Sequence, residues 1–259
     1  MKRKFSMLLA AALLLTGTVM LASCKDDDDD KKGKDDKNYV QMMTFEQEVS
    51  LYHMDEASAK KFITDKGFKF YANDEDAGSV LYYYIGKNSS GDSVIAAYSV
   101  QNGKINGVAT MMFVNKTTDM KTQYLNASNQ VDKWMSEHNS MFGSLQLVYE
   151  GSIFESIYNY DLFENHSQFI QAFNALQLPI TSMISEMYTP DTEEEEDDFK
   201  STESQTEVNL MLIPAEEMED EDESPLVIPQ CDYVISLAID TEIEENEVAK
   251  LPRLIRKRK

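Results

Sequence analysis

The chain has 259 residues and a formal net charge of −22, with 46 acidic side chains against 24 basic ones. That excess makes nucleic acid and anionic headgroups poor partners, because like charges repel at every approach. A hydrophobic fraction of 42% is slightly low for a globular chain, diluted by acidic segments, yet sufficient for a core in one or two domains.

The first element is an export signal. Lys2, Arg3 and Lys4 precede an almost wholly apolar run from Phe5 to Leu21, the layout of a secretory leader. Read instead as an uncleaved membrane helix, residues 5–23 reach only about the minimum, since ~20 residues are needed to span. The small residues before Cys24 favour cleavage. The stretch Leu21-Ala22-Ser23-Cys24 resembles the lipobox of bacterial lipoproteins. The resemblance implies a signal peptide over 1–23, cleavage before Cys24, diacylation of its thiol with palmitate-type chains, and further acylation of the new amino terminus. Several chains hold durably where one holds marginally, at roughly 0.8 kcal/mol per buried methylene. Loss of 1–23 removes three positive charges and no acidic ones, taking the net charge from −22 to −25.

Lys25 and Asp26 to Asp30 follow at once. They resemble the export signal of Bacteroidetes surface lipoproteins, and the aspartate that retains enterobacterial lipoproteins in the inner membrane is not at position 25. This implies a lipid-anchored outer-membrane protein at the cell surface, with the periplasmic face of that membrane as the alternative. The same run is also a solvated spacer of like charges. Residues 24–43 thus read as a lipidated acidic tether, too poor in apolar groups to offset the entropy of ordering.

Folded structure is expected from Thr44. Thr44 and Gln47 fit a capping box opening a helix through Leu51. A second helix is expected from Asp55 to Lys66, its acidic start and basic end suiting the dipole, with Gly67 placed for a left-handed C′ residue. Strand-type runs at Lys69–Asn73, Ser79–Gly86, Ser93–Gln101 and Lys104–Val114 predict an antiparallel meander. Asn102-Gly103 marks its tightest hairpin, because a type I′ turn needs positive φ at both positions. Residues 44–116 form the first unit on this reading, a helix-turn-helix followed by four antiparallel strands.

The second unit, 117–250, opens with a long helix from Thr117 or Thr118 to about His138. Met120, Tyr124, Val131, Trp134 and Met135 supply its buried side, and Asn126, Ser128 and Asn129 weaken its middle. Strands are expected at Leu145–Tyr149 and Ile153–Tyr160, and helices at Ser167–Leu176 and Ile180–Tyr188, parted by Pro179. Strands at Val208–Ile213 and Cys231–Asp240 then carry acidic loops over 191–207 and 214–229. A basic tail, 251–259, ends the chain. The fold class is α+β. The layout is loosely similar to the tandem helix-plus-four-strand arrangement of β-lactamase-inhibitor-like proteins, a resemblance that implies a non-catalytic binder.

Chemistry-bearing motifs are sparse. No P-loop, GxSxG, HExxH or paired-cysteine metal spacing is present, so no cofactor and no metal are expected. His53, His138 and His166 fall in separate segments, each near a helix end. Cys231 alternates with Asp232 and shares its phase with Tyr233, Ile235, Leu237 and Ile239, which predicts a thiol packed in the core. The runs Asp191–Asp198 and Glu216–Glu223 lack the converging glycine turn of a calcium loop. Tyr82 and Tyr84 should share one sheet face and Tyr83 the other, as packing residues rather than a sugar platform. Asp92-Ser93-Val94 resembles a short O-glycosylation acceptor, with Ser93 as the attachment point. The expectation is a non-enzymatic binding or envelope-structural lipoprotein. Its partners are the membrane, through Cys24, and a protein or glycan of unknown identity. An accessory hydrolase acting on extracellular polymer and an inhibitor-like partner-capture module are the alternatives.

Overall fold

A computed structural model describes residues 39–76, 78–115, 117–138, 145–155, 163, 165–190, 205–217 and 229–242. Four helices, α1 (Phe45–Tyr52), α2 (Glu56–Asp65), α3 (Thr117–His138) and α4 (His166–Ala175), accompany one eight-stranded antiparallel sheet. The strands are β1 (Lys69–Asp76), β2 (Ser79–Lys87), β3 (Ser93–Gln101), β4 (Lys104–Val114), β5 (Leu145–Glu150), β6 (Ile184–Pro190), β7 (Gln205–Pro214) and β8 (Tyr233–Glu242). Their order is β1-β2-β3-β4-β8-β7-β6-β5. Two four-stranded meanders therefore run outward from a central β4–β8 pair. Its register extends from Gly107 opposite Asp240 to Val114 opposite Tyr233.

Local chemistry accounts for the first half. Thr44 caps α1 with a complete capping box, its hydroxyl accepting from the Gln47 N–H at 3.3 Å while Gln47 Oε1 accepts from the Thr44 N–H at 3.2 Å. Asp55 caps α2 by accepting from the Ser58 N–H at 2.8 Å. Gly67 closes that helix at φ 93°, and Asn102 (φ 53°) with Gly103 (φ 75°) turns β3 into β4. All four predicted strands are present.

The helices share one face of the sheet. Alternate residues of every strand from β2 to β8 meet α1, α2, α3 and α4 there in a continuous apolar cluster. Phe45 of α1 meets Trp134 of α3 edge-on, centroids 5.0 Å apart, across the β4–β8 seam. On this face Tyr82, Tyr98 and Tyr84 stack in a ladder at 5.0 and 6.0 Å. Tyr83 points to the opposite face with Leu81 and Ile85, beside Ile95, Ala97, Ala109, Met111, Phe113, Val234 and Ala238. The tyrosine alternation is as expected.

Five local expectations are corrected. Residues 180–188 are not helical: Ile184 onward is β6, paired with β5 and β7. Its inward phase is Ile184, Glu186, Tyr188, and a glutamate at the central inward position disguises the strand alternation. Ser152–Glu155 is one helical turn, not the start of a strand, and residues 156–160 lie outside the described ones. Helix α3 runs unbroken through Asn126, Ser128 and Asn129, because the Ser128 side chain bonds to groups beyond the helix instead of competing for its backbone. Cys231 precedes β8 and packs on the second face with the Tyr83 cluster, whereas Tyr233, Ile235, Leu237 and Ile239 face the helices. The residues expected as a loop over 205–207 belong to β7. No described helix is long and apolar enough to cross a membrane.

The fold also begins before Thr44: Val40 and Met43, expected in the tether, are buried in the core, and the chain joins the sheet over a glycine. The Val40 N–H donates to the Lys87 carbonyl at 2.9 Å, and a Cβ on Gly86 would stand 2.6 Å from both Val40 methyls. Overpacking of this kind costs ~1–3 kcal/mol. Gly86→Ala is expected to lower the urea midpoint accordingly, and Gly86→Ala with Val40→Ala to recover most of the loss.

Candidate functional site

Two features stand out from the packing, a buried polar cluster and an open cleft. The cluster begins on α3, whose buried stripe is Met120, Tyr124, Ser128, Val131 and Met135. This is helical spacing with a serine at its centre. From β6, Glu186 enters the same space, 1% exposed, and Tyr149 of β5 stands opposite it in the strand register. His166 is the first residue of α4, behind Asn165, which caps the helix by accepting from the Gln168 N–H at 3.1 Å.

Ser128 Oγ lies 2.7 Å from His166 Nε2 and 3.1 Å from Glu186 Oε2. His166 Nδ1 lies 3.4 Å from Asp132 Oδ2, and its Nε2 is 3.6 Å from Glu186 Oε2. Asp132 is half-exposed, so the line Asp132–His166–Ser128–Glu186 runs from solvent into the core. The hydroxyls of Tyr149 and Tyr188 and Glu186 Oε1 have no hydrogen-bond partner.

Burial pushes the Glu186 carboxyl up to about 7, against the Ser128 and Tyr124 hydroxyls that favour its charge, with Asp132 adding to the rise. Burial also lowers the His166 imidazole from its usual range, opposed by Asp132. The geometry holds a proton in two ways. A protonated Glu186 donates to Ser128, which donates to His166. With the proton on His166, the imidazole donates to Ser128, which donates to the carboxylate. Moving one proton reverses both bonds.

Asp132, His166 and Ser128 have the residue types of a nucleophilic triad. The setting differs. Ser128 is fully buried and sits in mid-helix, where neighbouring N–H groups are used within the helix and none is aimed as an oxyanion donor.

A second buried carboxyl lies under the other half. Glu48 of α1 is fully buried beside Thr110 of β4, neither of its oxygens hydrogen-bonded, and burial raises it well above the usual range.

The cleft, of about 320 Å³, lies between the segment entering α1, the β2–β3 turn and one face of α3. Gln41, Gln123, Asn126 and Gln130 project their amides around it, and Met42, Met112 and Leu237 form its floor.

Residues singled out from sequence are scattered. Cys24 and the run Asp191–Asp198 lie outside the described residues, as does most of Glu216–Glu223. Ser93 opens β3, half-buried, opposite Lys87 and Phe113. Its neighbour Asp92 accepts from the Asn88 amide at 3.1 Å. The Cys231 thiol is half-buried and pushed up to about 11, mainly by burial and then by Asp232. It lies on the sheet face opposite His166, so no cysteine–histidine pair forms between them. His53 ends α1, and His138 ends α3, stacked on Trp134 at 4.7 Å. Among the described residues no group of three or more His, Cys, Asp or Glu is arranged to hold a metal ion. Asp132 and Glu186 address different nitrogens of one ring.

Sequence reasoning passed over Ser128, Asp132 and Glu186. A signal existed for two of them. Ser128 falls four residues after Tyr124 on the apolar stripe, and Glu186 alternates with Ile184 and Tyr188. The chain matches no protein-family model, and no curated protein or solved structure matches it.

The cluster makes stability depend on pH. An unfolded Glu186 loses its proton near the ordinary 4.5, the folded one near 7. Between these values the native state binds the extra proton, so this contribution is full below about 4.5 and is lost as the pH rises through about 7. At 1.36 kcal/mol per unit the change is ~3 kcal/mol. The lowered His166 works in the opposite sense, favouring the fold as pH rises towards 6.5. The unfolding free energy of the wild type minus that of Glu186→Gln is expected to fall by ~3 kcal/mol between pH 4.5 and 7 in urea titrations. A difference independent of pH would show that Glu186 is not the titrating group.

Proposed function

We propose that the protein is a lipid-anchored outer-membrane lipoprotein, exposed at the cell surface, whose α+β domain binds rather than catalyses. The anchor rests on the basic and apolar leader ending in Leu21-Ala22-Ser23-Cys24, and the surface position on Lys25 and the aspartates after it. The observation favouring binding is the contrast between the two features of the domain. Its serine and the Glu186 carboxyl are buried in the core without oxyanion donors, while the open cleft presents neutral hydrogen-bonding groups with no carboxylate or histidine among its described residues to act as a general base.

A hydrolase acting on extracellular polymer would instead use Asp132, His166 and Ser128 as a triad. Ser128→Ala separates the readings, since it removes hydrolysis under the second and leaves binding intact under the first. An inhibitor-like capture module would need a broad face of outward-facing aromatics; Tyr82, Tyr84 and Tyr98 are committed to the helix-facing ladder, and Phe70 of β1 is the exposed large aromatic among the described strands.

Cys24→Ser is expected to move the protein from the membrane fraction to the soluble periplasmic fraction, read by immunoblot after cell fractionation. Unchanged membrane retention would make the apolar leader the anchor. Trypsin added to intact cells should cut the lysine-rich tether of the wild type and release the domain. Protection would place it on the periplasmic side.

A further inference from the structure

We propose that the cleft between α3 and the β2–β3 turn is a binding site for an uncharged saccharide of one or two rings. This rests on the binding reading above and names its ligand class.

The first observation is the lining. Charged residues make up 27% of the chain, yet none is among the described residues that line this cleft. A cationic ligand would find no carboxylate there, and an anionic one would meet the field of the whole polyanion. The lining selects a neutral partner.

The second is the kind of polar group. Gln123, Asn126 and Gln130 occupy positions i, i+3 and i+7 of α3, one face of the helix. With Gln41 across the cleft they supply four amides, each a donor pair and an acceptor. All four are exposed, and their side chains make no hydrogen bond within the described residues. Such groups match the alternating donors and acceptors of adjacent hydroxyls.

The third is preorganisation. Asn88 Oδ1 accepts from the Ser90 and Asp92 N–H groups, both at 2.9 Å, so the turn carrying Ser89 and Ser90 is braced before a ligand arrives. A rim fixed in this way costs less to order on binding. Beneath the amides, half-buried Met42, backed by buried Met112 and Leu237, offers an apolar floor for the C–H face of a pyranose ring. The volume, about 320 Å³, is at the small end of the ~300–1,000 Å³ typical of small-molecule sites. It fits a short saccharide, or the end of a longer one.

The test uses the full acylated chain in a sugar-free detergent, with maltose, N,N′-diacetylchitobiose and digalacturonate as probes in saturation-transfer NMR and titration. At least one neutral disaccharide should bind, digalacturonate at least tenfold more weakly. The double variant Gln123→Ala, Asn126→Ala, at two exposed helix positions, should weaken the neutral ligand at least tenfold without moving the urea midpoint. Glu186→Gln should leave affinity unchanged. Failure of both neutral probes, or binding that the double variant does not weaken, overturns the assignment of this cleft. Digalacturonate binding as tightly as the neutral probes, and lost in the double variant, overturns the neutral-ligand class while leaving the binding role in place. The fractionation of Cys24→Ser reports on the anchor whatever the probes do.

Discussion

The fold depends on one pairing, β4 against β8. Each partner is buried on both faces, and Val108, Thr110 and Met112 lie opposite Ile239, Leu237 and Ile235. Without it the chain would be two four-stranded meanders with exposed inner edges, the condition that invites pairing with other chains. With it, the weakest positions of both units become the centre of a single sheet. Helices α1 and α3 pack across the seam. The Tyr52 hydroxyl reaches Thr241 of β8, and the Tyr233 hydroxyl accepts the Ile180 N–H at 3.0 Å, pinning the approach to β6. Strands so far apart in sequence must close a long loop before their contacts are rewarded, so this pairing belongs late in folding.

The layer between the helices and the sheet holds two buried carboxyls, Glu48 contributed by α1 and Glu186 by β6 beneath α3 and α4. They differ in company. Glu48 is buried beside a single threonine, while Glu186 has a serine, a histidine and tyrosine hydroxyls around it and a route to solvent through Asp132. Burial raises both carboxyls, and at Glu186 the Ser128 and Tyr124 hydroxyls oppose it, leaving proton exchange near 7. Lys121 ties the same helices together from outside, its ammonium donating to the Asn174 carbonyl at 3.1 Å beside the end of α4. The cleft, by contrast, uses a neighbouring face of α3, roughly a third of a turn round from the buried stripe. One helix thus separates a buried polar cluster from an open polar surface, with its phase deciding which side chain serves which.

Much of the architecture was legible where local chemistry determines it. Thr44, Asp55, Gly67 and Asn102-Gly103 each mark a boundary by a hydrogen bond or a φ angle that neighbouring residues supply. The second half was harder because its inward positions are not uniformly apolar. Ser128 and Glu186 interrupt the patterns by which a helix stripe and a strand are recognised, and their partners lie 38 to 58 residues away along the chain. Cys231 misled for a related reason: its alternation with Tyr233 is real in sequence, but the strand begins after it.

The sequence by itself determined the caps, the turns, the first meander and the charge, features set by composition or by residues within a few positions of one another. Tertiary structure decided the fusion of two meanders into one sheet, the face on which Cys231 lies, and the gathering of Asp132, His166, Ser128 and Glu186. It also formed the amide cleft from five separate segments. Those outcomes depend on which distant surfaces bury one another, and burial, rather than residue type, turns a serine and a glutamate into a proton-holding pair.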